Sequence, residues 1–281
     1  MPRNRVSDEL PTIQAPESIS PMLDIEFAEI SDCGPVRPHN EDFVGHSLPL
    51  NPEQVRNRGW LFTLADGVGG QDRGEVASRL TVETVLAECA KAAQGENSSS
   101  LLTRAIQAAN AKVYEEAHGG IATTLVACAL RYDRATVAHV GDSRCYLIRH
   151  GRHRLLTRDH TVVNEQIKLG IFTEREARNS IARNVLSRSI GNDLFVAPEI
   201  SQHNVRPGDL LLLCSDGLHG AVSDDKIVRI ATSGASLNEA AQELIAIANK
   251  SDGGDNVSVQ LIRIKNVEAV GMYRGRPYRL H

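Results

Sequence analysis

Carboxylates recur at the ends of apolar, strand-like runs in this 281-residue chain. A single aspartate after a strand is typical of a turn, but strands of one sheet system that all end in acids bring several carboxylates to one rim. Clustered carboxylates repel one another and resist losing water, so such a rim needs a cation. The pattern therefore predicts strands that end around a metal site. The acids concerned are Glu41, Asp42, Asp66, Asp142, Asp216 and Asp255.

The chemistry of these side chains restricts the metal. Every candidate ligand is an oxygen, and no pair of histidines or cysteines with zinc-binding spacing lies near them. Hard oxygen ligands suit Mg²⁺ or Mn²⁺ rather than Zn²⁺. Gly67 and Gly217, which follow Asp66 and Asp216 directly, have no side chain and let the backbone approach such an ion closely.

Three other kinds of site fit the sequence less well. The glycine-rich run 67–72 begins like a dinucleotide-binding loop, but Asp72 stands where the third glycine belongs. A faint calcium-loop pattern has Arg263 at the position of its terminal glutamate. The Gly-x-Ser-x-Gly elbow of a serine hydrolase is missing around Ser143 and Ser215.

Composition excludes other classes of partner. The 35 acidic and 31 basic side chains give a formal charge of −4, so the chain lacks the positive surface that nucleic acid or an anionic membrane requires. A metal-dependent nuclease is disfavoured for the same reason. The five cysteines form no C-x-x-C pair, which favours a reducing compartment. No apolar signal core precedes residue 25 and the longest fully apolar run is 210–214, so we expect a cytoplasmic protein.

Helices and strands come in blocks rather than in alternation. An apolar stripe over 237–248, preceded by a capping box of Ser236 and Glu239, predicts a helix. Two further helices are predicted, after Gly74 and over 102–117. Blocks of this kind indicate an α+β layered domain rather than a doubly wound parallel sheet.

Seven strands are predicted, and two of them are expected to pair directly. The segment 136–149 contains a tight Gly-Asp-Ser-Arg turn between apolar runs, which predicts an antiparallel hairpin. The predicted strands are 24–30, 60–65, 123–131, 136–140, 145–149, 209–214 and 257–264.

We predict one domain over 24–266 with a short segment at each end. Residues 1–23 contain four prolines among polar residues and are expected to form a flexible N-terminal arm. Residues 267–281 contain three arginines and are expected to form a short basic C-terminal tail.

The motifs also occur in the order of a known family. Over residues 25–265 the chain resembles the bacterial metal-dependent protein serine/threonine phosphatases of the PPM, or type 2C, family. One such motif would be a weak signal, whereas the ordered set is highly specific. The motifs are Arg37-Pro-His-Asn-Glu-Asp42, Ala65-Asp-Gly-Val-Gly-Gly70, Gly74-Glu-Val-Ala-Ser78, Thr123-Thr124, Gly141-Asp-Ser-Arg144, Asp159-His-Thr161, Ser215-Asp-Gly217 and Asp255-Asn256.

This resemblance implies a four-layer αββα sandwich, two antiparallel sheets flanked by helix pairs, with a binuclear Mn²⁺ or Mg²⁺ centre at one rim. By position, Asp66 would bridge the two ions and the Gly67 carbonyl would bind one of them. Asp216 and Asp255 would bind the other ion. Asp142 matches an acid that helps to bind a weaker third ion in bacterial members.

The remaining matched residues concern substrate and water. Glu41 and Asp42 match an acidic pair that holds metal-bound waters, and Arg37 matches an arginine that grips the substrate phosphate. A guanidinium suits phosphate because its N–H groups form a fork. The implied activity is hydrolysis of phosphoserine and phosphothreonine on proteins by a water that bridges the two ions. The implied partners are phosphorylated proteins and a cognate serine/threonine kinase, and a monomer is expected.

Departures from the family leave some points open. Val68 stands where eukaryotic members place a histidine, so the proton donor is open between His39 and a metal-bound water. Gly220 stands where many relatives carry an acid, which bears on the third ion. Residues 163–190 correspond to a mobile flap beside the cleft. Acceptance of phosphotyrosine is open, and a regulatory module that has lost catalysis is the rival class.

Overall fold

The computed structural model describes residues 22–68, 73–93, 95–117, 120–178, 180–273 and 276–279. Most of the predicted arm therefore lies outside the described residues, as does the stretch 69–72 of the glycine-rich motif. Leu23, which the prediction counted with the arm, is buried against the core between the sheets. None of the helices in the described ranges is long and apolar enough to cross a membrane.

Strands and helices follow one another along the described chain in mixed order. The strands are β1 (Asp24–Asp32), β2 (Asp42–Ser47), β3 (Trp60–Val68), β4 (Ala122–Thr123), β5 (Leu125–Arg131), β6 (Arg134–Val140), β7 (Arg144–Arg149), β8 (Arg152–Leu155), β9 (Glu199–Asn204), β10 (Leu210–Cys214), β11 (Val257–Asn266), β12 (Val270–Tyr273) and β13 (Arg276–Arg279). The helices are α1 (Pro52–Asn57), α2 (Gly74–Ala90), α3 (Ser98–Ala117), α4 (Val162–Lys168), α5 (Glu174–Arg178), α6 (Asp216–His219), α7 (Asp224–Ala231) and α8 (Leu237–Ser251).

Two antiparallel sheets pack face to face. One has the strand order β1-β11-β10-β7-β8, and the other has the order β2-β3-β5-β6-β9 with β4 beside β3. Successive side chains of a strand point to opposite faces, and both faces of β10 are covered. Leu211 and Leu213 join the core between the sheets, whereas Leu212 packs toward the helices. Burial on both sides explains why this strand is an uninterrupted apolar run.

Helices cover the outer face of each sheet. Leu102 and Ile106 of α3 pack with Leu125 of β5 on one side. Leu244 of α8 packs with Leu212 of β10 on the other side. The resulting order of helix, sheet, sheet and helix confirms the predicted four-layer αββα sandwich. It leaves the strand ends as the places where polar side chains can gather.

Most predicted elements are confirmed, with shifted ends. The stripe at 237–248 is α8, and Ser236 and Glu239 form its capping box. Predicted strand 60–65 continues to Val68 because β4 pairs with its last two residues. Asp66 therefore lies inside β3 rather than after it.

The predicted hairpin over 136–149 is wrong. Strand β6 pairs with β5 and β9, whereas β7 pairs with β10 and β8 in the other sheet. Gly141 has a φ of 99°, and a Cβ at that position would meet the side chain of Thr124. Only glycine accepts both conditions readily, so the turn carries the chain across from one sheet to the other. Asp142 consequently lies where the two sheets face each other.

The segment expected as a basic tail contains secondary structure in its described part. Strands β12 and β13 pair with each other in antiparallel orientation. Glu268, just before β12, is 4% exposed and pairs with Arg56 at 3.0 Å between Oε2 and Nε. The limits proposed for the domain and its two flanking segments stay predictions.

Candidate metal centre

The predicted acids meet at one rim of the sandwich, and both sheets contribute. Asp42 opens β2 and lies directly opposite Asp66 of β3 in the antiparallel pairing. Asp216 follows β10 and opens α6, and Asp255 lies just before β11. The Ser215 hydroxyl donates to Asp42 Oδ2 at 2.7 Å, which joins the end of one sheet to the end of the other.

Asp42 is the most enclosed of these acids that the structure resolves. Its residue exposure is 6%, and its Oδ1 is buried without a hydrogen-bond partner among the described residues. Burial raises the pKa of this carboxyl to about 7, helped by the charges of Asp216 and Asp255. A buried acceptor with no donor is costly, and a cation would satisfy it.

The backbone of Asp66 is hydrogen-bonded to two threonine side chains. Its backbone N–H donates to Thr124 Oγ1 at 3.0 Å, and its carbonyl accepts from the Thr123 hydroxyl at 2.7 Å. Burial and then the charge of Asp42 raise the pKa of Asp66 well above its ordinary value. Burial and then the charge of Asp255 raise the pKa of Asp216. Negative charges this close together cannot all be ionised without a counter-charge.

Asp142 faces the same group from the crossing between the sheets. Burial raises its pKa to about 7, and the charge of Asp216 adds to this shift. His219 Nε2 donates to the Asp142 carbonyl at 3.0 Å. Burial lowers the pKa of His219 to about 4, so the imidazole is neutral near pH 7 and acts as a fixed donor. The sequence interpretation did not identify this support.

The residues present fit a divalent oxygen-binding metal. Five buried or half-buried carboxylates gather at the rim, and burial with neighbouring charges raises the pKa of Asp42, Asp66, Asp142 and Asp216. One oxygen of Asp42 is buried without a donor among the described residues. Uncompensated acids of this kind are expensive, whereas divalent cations favour such a set. The acids are Asp42, Asp66, Asp142, Asp216 and Asp255.

Glu41 lies beside this group, but its carboxylate contacts the start of α2. Its pKa is raised by burial and lowered in part by a hydrogen bond from the backbone of Gly74. A Cβ on Gly74 would lie 2.7 Å from Glu41 Oε1. The carboxylate therefore meets the first residue of α2, where free N–H groups favour negative charge. The Glu41 carbonyl accepts from Gly67 N–H at 3.1 Å, which ties the acidic pair to β3.

Arg37 lies at the edge of the same rim. Its Nε donates to the Gly254 carbonyl at 3.1 Å, and its Nη2 lies 2.9 Å from Asp255 Oδ1. The side chain is 43% exposed. Two of the five N–H groups are thus used among the described residues, and the remaining ones can receive an anion.

Asn256 holds the rim together and was missed as a functional residue. Its Oδ1 accepts from Glu41 N–H at 2.8 Å, and its Nδ2 donates to the carbonyls of Cys33 at 2.8 Å and His39 at 3.0 Å. A Cβ on Gly217 would meet the Asn256 carbonyl. Gly217 therefore permits a close approach between backbones. The sequence motif Asp255-Asn256 was the signal available for this role.

His39 and Gly67 are placed differently from each other. The His39 side chain is exposed and makes no hydrogen bond within the described ranges. Gly67 is buried in β3, and a Cβ there would meet the backbone of Gly74. Glycine at this position lets α2 begin directly against the strand.

A cleft of about 960 Å³ opens beside the acids. Asp142, Asp216 and Asp255 line one side of it. Residues of 158–184, among them residues of α4 and α5, also line it. This volume lies at the upper end of the range of about 300–1,000 Å³ for ligand sites.

A second group of possible metal ligands includes none of these acids. One ligand atom each from His139, His160 and Glu199 falls within 4.8 Å of the others. The two rings are stacked at 4.6 Å with a 17° interplanar angle. His139 Nε2 already contacts the Arg158 carbonyl at 2.8 Å, and Arg188 Nη1 lies 3.4 Å from His160 Nε2. Occupied nitrogens and a neighbouring guanidinium disfavour a cation here.

Comparisons with known proteins agree with this geometry. The family model described as protein phosphatase 2C matches residues 29–257. The protein phosphatase PhpP of Streptococcus pneumoniae is 32% identical over 252 residues, which cover 87% of this chain and 100% of that protein.

Two solved structures are also similar. The S. agalactiae serine/threonine phosphatase has a TM-score of 0.78 at 34% identity and covers 86% of this chain and 100% of its own. The catalytic domain of the serine/threonine protein phosphatase PstP, solved in complex with two manganese ions, has a TM-score of 0.74 at 32% identity. It covers 86% of this chain and 99% of its own.

Proposed function

The chain belongs to the protein phosphatase 2C family and is a protein serine/threonine phosphatase, and we propose that it hydrolyses phosphoserine and phosphothreonine esters at the acidic rim described above. The observation that carries the placement is the buried, mutually perturbed set of carboxylates, in which Asp42 Oδ1 has no donor among the described residues. Such a set is costly unless it binds cations.

The cations that fit are two Mn²⁺ or Mg²⁺ ions. We expect Asp66 to be shared between them, with the Gly67 carbonyl on one ion and Asp216 and Asp255 on the other. Support comes from the oxygen-only donor set and from the two manganese ions in the PstP structure. When bound, two such ions supply an activated water and the positive field that phosphoryl transfer requires. We place Asp142 at a weaker third ion.

Arg37 is the residue that would orient the substrate. Its guanidinium is fixed by Gly254 and Asp255 and keeps N–H groups for phosphate oxygens. Because a fork of donors fixes both distance and angle, Arg37 would align the phosphoryl group for in-line attack. Asp42 and Glu41 would hold water at the rim by accepting its hydrogen bonds. The source of the proton for the leaving oxygen is His39 or a water, and His39 is exposed enough to reach solvent.

The wider setting follows from this activity. We propose that the substrates are phosphorylated proteins, that a serine/threonine kinase acts on the same proteins, and that the chain works as a cytoplasmic monomer. The balanced surface charge supports a protein substrate rather than nucleic acid.

The test is hydrolysis of a phosphothreonine peptide with Mn²⁺ and with chelator. We expect turnover that requires Mn²⁺ and falls below a few per cent in Asp66→Asn and Asp216→Asn. Asp225→Asn is the matched control, because Asp225 is an exposed aspartate in α7 that does not line the cleft. Turnover that is absent, or that does not need metal, contradicts the proposal.

Arg37→Ala separates binding from chemistry. We expect a higher KM for the phosphopeptide with a smaller change in kcat, because the guanidinium contacts the substrate phosphate. A fall in kcat alone would place its action in the transition state instead.

A further inference from the structure

The segment 158–184 brings cationic side chains to the cleft that the proposed reaction does not use. We call the cleft-lining residues of this segment the flap wall. The flap wall contributes three cations, Arg158, Lys168 and Arg183, against two acids, Asp159 and Glu174. Arg144 and Asp252 line the cleft outside the wall, besides the acids of the rim. A phosphorylated protein segment bound at the acidic rim would share the cleft with this wall.

Two of the four cations are already neutralised. Arg144 makes a two-pronged ion pair with Asp159, with 2.7 Å between Nη2 and Oδ2 and 3.0 Å between Nε and Oδ1. Arg158 Nη2 lies 3.7 Å from Glu165 Oε1. The first pair ties the beginning of the flap wall to β7 and the second ties it to α4, so both pairs stabilise the wall.

Lys168 and Arg183 have no acidic partner in the part of the chain that the structure describes. Lys168 is the last residue of α4, and Arg183 lies in a turn that follows α5. Two cations from separate elements therefore line one cavity. Both side chains are exposed.

The same wall offers an apolar surface next to these charges. Val163 and Ile167, which precede Lys168 on α4, line the cleft, as does Ala177 of α5, which lies between Lys168 and Arg183 in the chain. An extended peptide advances about 3.3 Å per residue, so a segment whose phosphorylated residue lies at the rim places its neighbours against this wall. Its aliphatic atoms can pack on the apolar residues while its charged groups meet Lys168 and Arg183.

From this arrangement we propose that Lys168 and Arg183 select substrates with acidic side chains close to the phosphorylated serine or threonine. The inference rests on the proposed phosphatase activity and names the class of segment that this site prefers. Carboxylates on the substrate would complete ion pairs that the protein leaves open. A basic segment would instead meet like charges on the flap wall.

The size of the effect follows from the exposure of both groups. An exposed ion pair contributes about 1.4- to 5-fold in an equilibrium constant. Two such pairs predict a preference of about three- to tenfold in kcat/KM for an acidic over a neutral peptide. Because salt screens exposed charges, the preference should shrink as ionic strength rises.

The experiment compares three phosphothreonine peptides of equal length with acidic, neutral or lysine-containing flanks. For each enzyme the readout is the ratio of kcat/KM on the acidic peptide to kcat/KM on the neutral one. We expect the wild-type ratio to fall to within about twofold of unity in Lys168→Ala/Arg183→Ala. The swap Lys168→Arg/Arg183→Lys should keep it. The matched control is Arg79→Ala/Lys112→Ala, an exposed arginine and lysine on α2 and α3 that do not line the cleft.

Binding of the unphosphorylated acidic peptide, followed by fluorescence anisotropy, gives a second readout that does not depend on turnover. It should weaken in Lys168→Ala/Arg183→Ala and not in the control. Equal kcat/KM on acidic and neutral peptides, or a ratio that survives the double substitution, overturns the inference alone. Absence of turnover on every peptide and on p-nitrophenyl phosphate contradicts the proposed function, and the anisotropy comparison then still decides the inference.

Discussion

Replacing Asn256 by alanine should loosen the loop that carries Arg37 and Glu41. The carboxamide makes three hydrogen bonds within 3.0 Å, to Glu41 N–H and to the carbonyls of Cys33 and His39. The residue is 4% exposed, so water cannot replace these bonds easily. Each bond contributes about 0.5–1.5 kcal/mol net, and we expect Asn256→Ala to lower the free energy of unfolding by about 2–4 kcal/mol.

The assay is urea unfolding of the metal-free protein, so that the loss is not mixed with metal affinity. In thermal unfolding of the same metal-free protein, the melting temperature should fall by about 2–4 °C for each kcal/mol lost in a chain of this size. Asn192→Ala is the control, because Asn192 is exposed and its side chain contacts only its neighbour Asp193. Its unfolding free energy should change by less than about 0.5 kcal/mol.

The substitution should also raise KM for a phosphopeptide, because Arg37 lies on the loop that Asn256 holds. A loss of less than about 1 kcal/mol in Asn256→Ala, or an equal loss in Asn192→Ala, would refute the argument that this side chain ties the rim together.

Three further outcomes follow from the same contacts. The pKa values of Asp42 and Asp142 are raised to about 7 from 3.8, so their contribution to stability is complete below about pH 4 and is lost as pH rises through 7. The free energy of unfolding of the metal-free protein should therefore fall between about pH 4 and pH 7, and Asp42→Asn should make it less dependent on pH. A free energy of unfolding that rises over this pH range would contradict the raised pKa values. Gly217→Ala should lower the free energy of unfolding by about 2 kcal/mol or more, because the new Cβ meets the Asn256 carbonyl. Gly254→Ala is the control, because a Cβ there would lie 3.3 Å from the Asp252 side chain. Equal melting temperatures of the two variants would exclude this clash. Asp209 is 2% exposed and pairs with Arg149 at the other end of β10 from Asp216. Asp209→Asn should therefore lower the free energy of unfolding by about 2–3 kcal/mol without changing Mn²⁺ affinity. Calorimetry that finds weaker Mn²⁺ binding would show that the two ends of the strand are coupled.

The layered fold could be predicted where the sequence has a strong period. The stripe that forms α8 and the apolar run that forms β10 were found because each is buried along a regular face. Strands β8 and β9 were not predicted, because both are edge strands with mostly polar, exposed residues. Their strand conformation depends on pairing with β7 and β6, which no local pattern encodes.

The hairpin prediction failed for a related reason. A tight turn between two apolar runs predicts local pairing, but it also fits a chain that passes from one sheet to the other. Gly141 distinguishes the two cases only through its contact with Thr124, which is distant in sequence. The crossing brings Asp142 close enough to Asp216 for the charge of Asp216 to raise the pKa of Asp142.

The gathering of the site's acids at one rim could be predicted from sequence, because all but Asp66, which lies inside β3, stand at or near the end of a strand. Their supports could not. Ser215, His219 and Asn256 act through hydrogen bonds to Asp42, Asp142 and Glu41, and those partners are known only once the sheets are stacked. The resemblance matched 163–190 to a charged flap beside the cleft, but only the structure shows which of its charges, Lys168 and Arg183 among them, line the cavity.

Calorimetric titration of the metal-free protein with Mn²⁺ tests most directly whether the acidic rim is a metal centre. The wild-type chain should bind about two ions per chain. Asp66→Asn should lose this binding, whereas Asp225→Asn, which changes an exposed aspartate of α7, should keep it. Mn²⁺ binding that is absent from the wild type, or that persists undiminished in Asp66→Asn, would contradict the assignment of the rim.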